Sequence, residues 1–223
     1  MLIILTGESG SGKSSIQTAL QNQFNVKPIV TYTTRQKRDG EFDGVDYHFV
    51  SLDEFGAMCD DNKFAEIAEY SNNRWYGSLM LDITHAIEDE EHWYSIVLTP
   101  PGLRRVWAIS EFGLMNSNVF RVHVDARLDV RVKRYVERCG DKFSFADFAE
   151  IYERVQRDFG MFLNIDDECD FTLFNNGDFT LSQMAKSVMK GAQDHKDGSL
   201  RYMIARGKIK GKSVKKGPNR YKD

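Results

Sequence analysis

The sequence lacks the features that mark membrane-spanning and disulfide-stabilised proteins. No uninterrupted apolar stretch approaches the roughly 20 residues that a helix needs to cross a bilayer. The three cysteines, Cys59, Cys139 and Cys169, are odd in number, widely spaced and without a C-x-x-C pair, which argues against a disulfide framework or a zinc site. Met1 leads directly into an apolar run, so we expect no signal peptide. We therefore expect a soluble, cytoplasmic protein without a membrane partner.

The charge is unevenly distributed along the chain. The net charge is −3, yet Lys196 to Asp223 contains ten Lys or Arg and two Asp, which leaves 20 basic and 31 acidic residues in the rest. We interpret residues 193–223 as a basic, mobile tail. The tail is the one segment that could contact nucleic acid. A solubilising or self-associating extension is at least as consistent with it, so a homodimer remains open.

A phosphate-binding loop is the most specific local feature. Residues Gly7–Ser14 read G-x-x-x-x-G-K-[ST], between the apolar run Leu2–Leu5 and an amphipathic stretch that begins at Ser15. The run predicts a buried strand and the stretch predicts a helix whose N-terminus is directed at an anion. Lys13 supplies a positive charge and the Ser14 hydroxyl a ligand for Mg²⁺. The predicted nucleoside triphosphate site contains Gly7, Glu8, Ser9, Gly10, Ser11, Gly12, Lys13, Ser14 and Ser15.

A basic segment follows the loop. Arg35 and Arg38 are three residues apart with Lys37 between them, and guanidinium groups bind phosphate oxygens bidentately. An isolated R-x-x-R would more often be a solvated turn. The alternation of apolar residues over 45–49 predicts a strand after this turn.

Three blocks in order resemble the guanylate kinase family. Thr31–Ser51 resembles T-T-R-x-x-R-x-G-E-x-x-G-x-D-Y-x-F-V-S, and Phe64–Ser78 resembles F-x-E-x-A-x-x-x-x-N-x-Y-G-[ST], both after the phosphate loop. The resemblance covers about residues 1–190. It implies an α/β fold of the P-loop NTPase type, with a parallel sheet flanked by helices and inserted acceptor-binding and lid subdomains. It also implies in-line phosphoryl transfer from ATP to GMP or dGMP, with Mg²⁺.

The resemblance implies roles for single residues in the acceptor site. The carboxylate of Glu66 would accept the N1–H and 2-amino groups of guanine, a pair of donors that adenine does not offer in that arrangement. Taken singly, each tyrosine is equally consistent with core packing, and Glu66 with a solvated surface. The implied acceptor residues are Thr31, Arg35, Arg38, Glu41, Tyr47, Glu66, Tyr76 and Ser78.

A helical hairpin in the C-terminal half resembles the lid of that family. Residues 129–138 predict a helix, with one face apolar at Val132, Tyr135 and Val136 and the other basic at positions 131, 134 and 138. Salt bridges along a helix are equally consistent with any one of these arginines. With the lid included, the implied catalytic residues are Lys13, Arg35, Arg38, Arg134, Arg138 and Arg154. Asn175 falls near the implied adenine site.

The chain departs from the family pattern at one strand. The segment 95–102 aligns with L-D-[IV]-D-x-Q-G, so Val97 and Thr99 occupy both aspartate positions. A weaker kinase, a kinase for another (deoxy)nucleoside monophosphate, and a nucleotide-binding module without catalysis therefore remain open.

The resemblance implies a division of the chain into a core and two insertions. We predict a core that carries the parallel sheet, an acceptor-binding insertion, a lid and the tail. Their predicted bounds are about 1–30, 89–133 and 158–192 for the core, 31–88 for the insertion, 134–157 for the lid and 193–223 for the tail.

Overall fold

The computed structural model describes residues 1–70, 74–113 and 116–198. The strands are β1 (Leu2–Thr6), β2 (Lys27–Pro28), β3 (Tyr32–Thr33), β4 (His48–Phe49), β5 (Phe64–Tyr70), β6 (Arg74–Leu79), β7 (Tyr94–Val97), β8 (Val119–Asp125) and β9 (Phe171–Phe174). The helices are α1 (Lys13–Phe24), α2 (Leu52–Asp60), α3 (Met80–Glu88), α4 (Pro100–Phe112), α5 (Leu128–Cys139), α6 (Phe145–Met161) and α7 (Leu181–Lys196). None of the described helices has both the length and the apolar character that a membrane crossing requires.

A five-stranded parallel sheet forms the centre, in the order β2-β7-β1-β8-β9. Every residue of β1 is buried, as expected for a parallel strand covered by helices on both faces. The prediction of a parallel sheet flanked by helices is confirmed. Because ligands of such sheets bind beyond the carboxyl ends of the strands, the ends of β1 and β8 position the site.

Two apolar clusters cover the two faces of this sheet. Alternate side chains of β1 enter different clusters, because successive residues of a strand point to opposite faces. Ile3 packs with Ile16 of α1 and with α7, whereas Ile4 packs with Ile83 of α3 and with α4. The amphipathic stretch predicted after the loop is confirmed as α1, whose buried residues are Ile16, Ala19 and Leu20. Although α3 falls within the predicted insertion, it contributes to the core.

A second sheet, in the order β4-β3-β6-β5, carries the acceptor residues. β3 pairs with β6 and β6 with β5 in antiparallel fashion, whereas β3 pairs with β4 in parallel. The predicted strand over 45–49 is shorter than expected, because Val45 lies in a turn with 66% of its surface exposed. Tyr76 and Ser78 are two residues apart on β6, so they lie on the same face of this sheet.

The helix predicted over 129–138 is confirmed by α5 of the helical hairpin α5–α6. Its most buried side chain is a charged one, since Arg131 is 9% exposed whereas Val136 is 37% exposed. α6 begins at a capping box between Ser144 and Asp147 and continues past the predicted lid boundary to Met161. The predicted tail lies mainly outside the described residues, but positions 193–196 belong to α7, so its predicted start was wrong.

Candidate active site

The phosphate loop is closely packed against its surroundings. Gly7 has a φ of +153°, and a Cβ there would lie 2.3 Å from the Val124 carbonyl oxygen. Gly12 has a φ of +98°, and a Cβ there would lie 2.4 Å from Nδ2 of Asn175. Both positions therefore need glycine for conformation and for space. The first turn of a helix leaves its N–H groups without intrahelical acceptors, so α1 presents them to the loop.

Lys13 lies at the loop, close to both lid helices. Its Nζ donates to the Gly7 carbonyl oxygen at 2.6 Å. Burial lowers the pKa of Lys13 to about 8; the charge of Asp158 opposes this shift, and the charges of Arg131 and Arg154 add to it. The ammonium group is thus surrounded by charged side chains from α5 and α6, at the position where a polyphosphate would bind.

Asn175 and Arg134 support the far side of the loop. Asn175 is 5% exposed, and its Nδ2 donates to the Ser11 carbonyl oxygen at 2.8 Å. Arg134 donates to Oδ1 of Asn175 at 2.8 Å and to the carbonyl oxygens of Gly10 and Ser11 at 3.2 Å each. The structure therefore brings these two predicted residues together at the loop, although they lie in different parts of the sequence.

The side chain of Glu8 is held in a buried ion cluster. Its carboxylate lies 3.5 Å from His123 and 3.5 Å from Arg131. Burial raises the pKa of Glu8, but the hydrogen bond from His123 and the charge of Arg131 outweigh burial and lower it. We predicted that Glu8 binds nucleotide; its carboxylate is committed to protein partners, so the backbone is the part available to phosphate.

His123 balances the charge of two carboxylates. Burial lowers its pKa, but hydrogen bonds to Asp166 and Glu8 outweigh burial and raise it to about 9. One ligand atom each of Glu8, His123 and Asp125 lie within 4.8 Å of one another. Because a protonated imidazole is not a metal ligand, we interpret this group as a charge-balanced cluster rather than a metal centre.

The His123 cluster predicts an alkaline loss of stability. A raised folded-state pKa gives stabilisation that is complete below the unfolded value of 6.5 and is lost as the pH rises through about 9. The size of this pKa shift limits the loss in the free energy of unfolding to about 3 kcal/mol. Such a loss corresponds to a fall of several degrees in Tm. We expect Tm to fall between pH 7 and 10 more steeply in the wild type than in His123→Gln. The exposed His92→Gln is the control, and parallel slopes in all three proteins would contradict the prediction.

On the acceptor side, Glu41 positions two arginines. Arg35 is 7% exposed, and its Nη1 and Nη2 donate to the two carboxylate oxygens of Glu41 at 3.0 and 2.9 Å. Glu41 also accepts the backbone N–H of Arg38 at 2.9 Å. The Arg35 guanidinium lies 5.2 Å from the ring centroid of Tyr47, whose ring is 5.7 Å from that of Tyr76. Five predicted acceptor residues, Glu41 included, are thus assembled, and Glu41 acts through the arginines.

A cleft of about 700 Å³ separates residues 34–38, here called the acceptor loop, from the lid helices α5 and α6. Its walls come from the turn after β3, the start of β6, α5 and the beginning of α6. The predicted lid residue Arg138 faces it from α5. The wall after β3 is strongly basic, which suits a phosphate, whereas the lid wall combines Arg138 with the acids Asp147 and Glu150. The basic residues that line the cleft are Arg35, Lys37, Arg38, Arg74 and Arg138.

Arg154 lies between the donor loop and the acceptor sheet. Its Nε donates to Glu150 at 3.0 Å, and Glu150 also lies 3.8 Å from Arg74 of β6. The charge of Arg154 lowers the pKa of Lys13. Arg154 therefore lies near the phosphate loop, and its partner Glu150 links α6 to β6 of the second sheet.

Glu66 is a buried carboxylate with one neighbouring hydroxyl donor. It is 8% exposed, and Ser78 donates to its Oε1 at 2.8 Å. Burial raises the pKa of Glu66 to about 7, against the hydrogen bond from Ser78. A Cβ at Gly102 would lie 2.9 Å from Oε2, so α4 borders the carboxylate closely. Thr31, also predicted for this site, is half-buried, and its carbonyl oxygen accepts the His48 N–H at 2.9 Å.

Val97 and Thr99 have structural contacts. Val97 packs against the cluster that contains Ile16. Thr99 is the N-cap of α4, where its hydroxyl accepts the Gly102 N–H at 3.4 Å. The two positions therefore complete the core and start a helix, and neither supplies a carboxylate.

Sequence reasoning missed Arg131, Asp158, Arg74 and Glu150 as site residues. Arg131 carried a signal, because it shares a helical stripe with Arg134 and Arg138. The other three carried none, since their roles depend on contacts between distant segments: Arg74 meets Glu150 and Ser9 meets Asp158.

Comparison with known proteins agrees with this geometry. The guanylate kinase family model matches residues 1–141. The chain is 41% identical over 91 residues to guanylate kinase of Bacillus subtilis, covering 40% of this chain and 44% of that protein. It is 38% identical over 93 residues to guanylate kinase of Enterococcus faecalis, with the same coverage of 40% and 44%. The chain thus spans less than half the length of these curated relatives.

A solved structure extends the likeness of fold beyond that segment. Guanylate kinase from Anaplasma phagocytophilum superposes with a TM-score of 0.64 over 94% of this chain and 96% of that chain, at 18% identity. At this identity the likeness concerns the fold alone. The family match over residues 1–141 covers more than half of the chain, and the chain therefore belongs to the guanylate kinase family.

Proposed function

We propose that the protein is an ATP-dependent guanylate kinase, which converts GMP or dGMP with ATP to GDP or dGDP and ADP. The observation that carries the proposal is the presence of two phosphate-binding groups: Lys13, whose Nζ is held at the loop by the Gly7 and Glu8 carbonyl oxygens, and Arg35, which Glu41 holds at the cleft bordered by α5. A loop for the donor phosphates and an arginine site for the acceptor phosphate suit direct transfer between them, because the reaction depends on positioning and on stabilising charge.

The proposed roles follow the assembled groups. The phosphate loop and Lys13 bind the donor, and Arg134 with Asn175 supports the loop. Arg35 and Arg38 bind the acceptor phosphate, and Tyr47 and Tyr76 donate hydroxyl hydrogen bonds to it. Arg138 and Arg154 offset the charge on the phosphoryl group during transfer. No covalent enzyme intermediate is required.

The oxygen donors at the loop fit a magnesium ion. Ser14 is exposed in the first turn of α1, and Mg²⁺ in such sites keeps water and substrate phosphates among its ligands. Positions 97 and 99 offer no carboxylate, so we propose that Ser14 is the protein ligand from this group and that phosphate oxygens and water supply the rest. When bound, the ion would offset the negative charge of the phosphates.

The proposed domains follow the sheets. The five-stranded sheet with α1, α3, α4 and α7 is the core, the second sheet with α2 is the acceptor-binding insertion, and α5 with α6 is the lid. These units meet at the cleft between the acceptor loop and the lid.

A coupled ADP-release assay tests the proposed function. The assay uses the full chain, ATP and Mg²⁺ with a panel of ribo- and deoxyribonucleoside monophosphates. We expect GMP or dGMP to give a kcat/KM at least about tenfold above every other acceptor. A different preferred acceptor would overturn the guanine assignment, and ATP binding without turnover of any acceptor would overturn the assignment as a kinase.

Glu66→Gln is expected to reduce the preference for GMP over AMP by about tenfold or more, because one hydrogen bond to a charged group contributes about 1.5–3 kcal/mol. The side-chain amide of the Glu66→Gln variant can direct an N–H group toward the N–H groups of guanine. Binding of AMP loses no comparable hydrogen bond. The measurement is kcat/KM for both acceptors, with KM for ATP as the internal control. An unchanged ratio would contradict the role of Glu66 in base selection.

The same carboxyl predicts a pH dependence of acceptor use. Because burial raises the pKa of Glu66 to about 7, the free enzyme loses the anionic acceptor as the pH falls through that value. We expect kcat/KM for GMP to decrease below about pH 7 in the wild type and to lack this limb in Glu66→Gln. Ionisation of the GMP phosphate affects both proteins equally, so identical profiles would refute the prediction.

A further inference from the structure

The three polar groups of Ser9, within the phosphate loop, are held by the two lid helices. Its backbone N–H donates to Oδ2 of Asp158 on α6 at 2.7 Å. Its carbonyl oxygen accepts from Nε of Arg131 on α5 at 2.9 Å, and its hydroxyl lies 3.4 Å from Nη2 of Arg157. The lid therefore holds the loop by its backbone as well as by a side chain.

Asp158 is a buried charge with compensating neighbours. It is 3% exposed, and its carboxylate lies 3.3 Å from Arg131 and 3.4 Å from Arg157. A buried carboxylate persists in a fold when it is paired and hydrogen-bonded. Asp158 satisfies both conditions, and the N–H it accepts belongs to the phosphate loop.

The geometry of the peptide bond extends the effect of these contacts into the loop. In a trans peptide the N–H and C=O point in opposite directions. With the Ser9 N–H directed at Asp158, the Glu8 carbonyl turns the other way, where Lys13 donates to it at 3.0 Å. With the Ser9 carbonyl directed at Arg131, the Gly10 N–H likewise turns away from α5. Two successive peptide planes of the loop are thus oriented from the lid.

We infer that Asp158 is a positioning residue for the donor phosphates, which acts through the Glu8–Ser9 peptide to hold the phosphate loop in its binding conformation. The inference rests on the proposed use of ATP. A loop already held in the bound conformation spends less free energy on ordering when the nucleotide arrives. Lys13, which ATP would contact, donates to loop carbonyl oxygens, whereas the Asp158 carboxylate is engaged by the Ser9 N–H, Arg131 and Arg157.

The test compares two substitutions with a matched control by isothermal titration of the full chain with ATP and, separately, with GMP. Asp158→Ala removes the acceptor and the charge, and we expect the Kd for ATP to rise about tenfold or more. Asp158→Asn keeps an oxygen that can accept the Ser9 N–H, so the rise in its Kd for ATP should be clearly smaller than in Asp158→Ala. Glu153→Ala, an exposed acid on the same helix, should leave the Kd for ATP unchanged. The Kd for GMP should stay within about twofold in all three variants.

Thermal unfolding of each variant separates positioning from general stability. Parallel loss of ATP binding, GMP binding and Tm would indicate a structural role only and would overturn the inference. Tighter ATP binding by Asp158→Asn would overturn it as well, because the carboxylate would then compete with phosphate. If Asp158→Ala does not fold, the test is the Kd for ATP of Asp158→Asn compared with that of Glu153→Ala. Equal Kd values for these two variants would overturn the inference. A wild type that binds no ATP would refute the proposed function and this inference together, whereas unchanged binding in variants of an ATP-binding wild type would refute this inference alone.

Discussion

Replacing Lys13 with alanine is expected to lower kcat by on the order of 10²-fold or more, by analogy with the removal of one donor to a developing charge. The Lys13 ammonium is held at the loop by the Gly7 and Glu8 carbonyl oxygens. The loop contains no second lysine that could replace it. The loss should fall mainly on kcat, since charge on the transferring group increases in the transition state.

The measurement is steady-state kinetics with both substrates varied. Lys63→Ala, which removes an exposed lysine near α2, is the matched control and should behave as the wild type. The affinity for GMP, measured without ATP, should be unchanged in Lys13→Ala, because the predicted acceptor residues lie on the second sheet and in the loop between β3 and β4. A Lys13→Ala enzyme with a kcat within about threefold of the wild type would show that the loop does not serve phosphoryl transfer.

The donor side of the site could be predicted from the sequence because its determinants are local. The Gly7–Ser14 motif, the apolar run before it and the amphipathic stretch after it lie within one strand–loop–helix unit. Such a unit needs no long-range contact to specify its conformation. The parallel sheet itself was implied by the family resemblance.

The lid could be predicted only in part, because its packing depends on residues that are far apart in sequence. The helix α5 was predicted with an apolar face and a basic face, but the burial of Arg131 was not predicted. Arg131 is buried because it pairs with the buried carboxylates of Glu8 and Asp158. Periodicity reports apolar burial and carries no information about a buried ion pair.

The absence of the two family aspartates shows a second limit of prediction from the sequence. Comparison with the family pattern shows that Val97 and Thr99 are not acids, but it does not show what these two residues do in the structure. The structure gives Thr99 the N-cap of α4, and this helix brings Gly102 close to Glu66. We therefore propose that base selection rests on Glu66 and Ser78 in this chain.

Arg38→Ala is expected to lower kcat/KM for GMP by about 10- to 100-fold, because each hydrogen bond to a charged group contributes about 1.5–3 kcal/mol. Arg38 is exposed at the cleft, and Glu41 binds its backbone N–H rather than its guanidinium. The substitution therefore leaves the Arg35–Glu41 pair intact. Removal of Arg35 would instead leave Glu41 without its bidentate partner, and a loss of activity would then mix binding with folding.

The experiment compares KM for GMP, KM for ATP and Tm in Arg38→Ala and Arg127→Ala. Arg127 is an exposed arginine paired with Asp129 outside the cleft, and its removal should leave all three quantities near the wild-type values. In Arg38→Ala the KM for ATP and the Tm should stay close to the wild type, while the KM for GMP rises. Because the guanidinium binds the acceptor phosphate whatever the base, dGMP and AMP should lose the same factor as GMP. A loss confined to GMP would place Arg38 at the base instead, and an equal loss with ATP would place it at the donor.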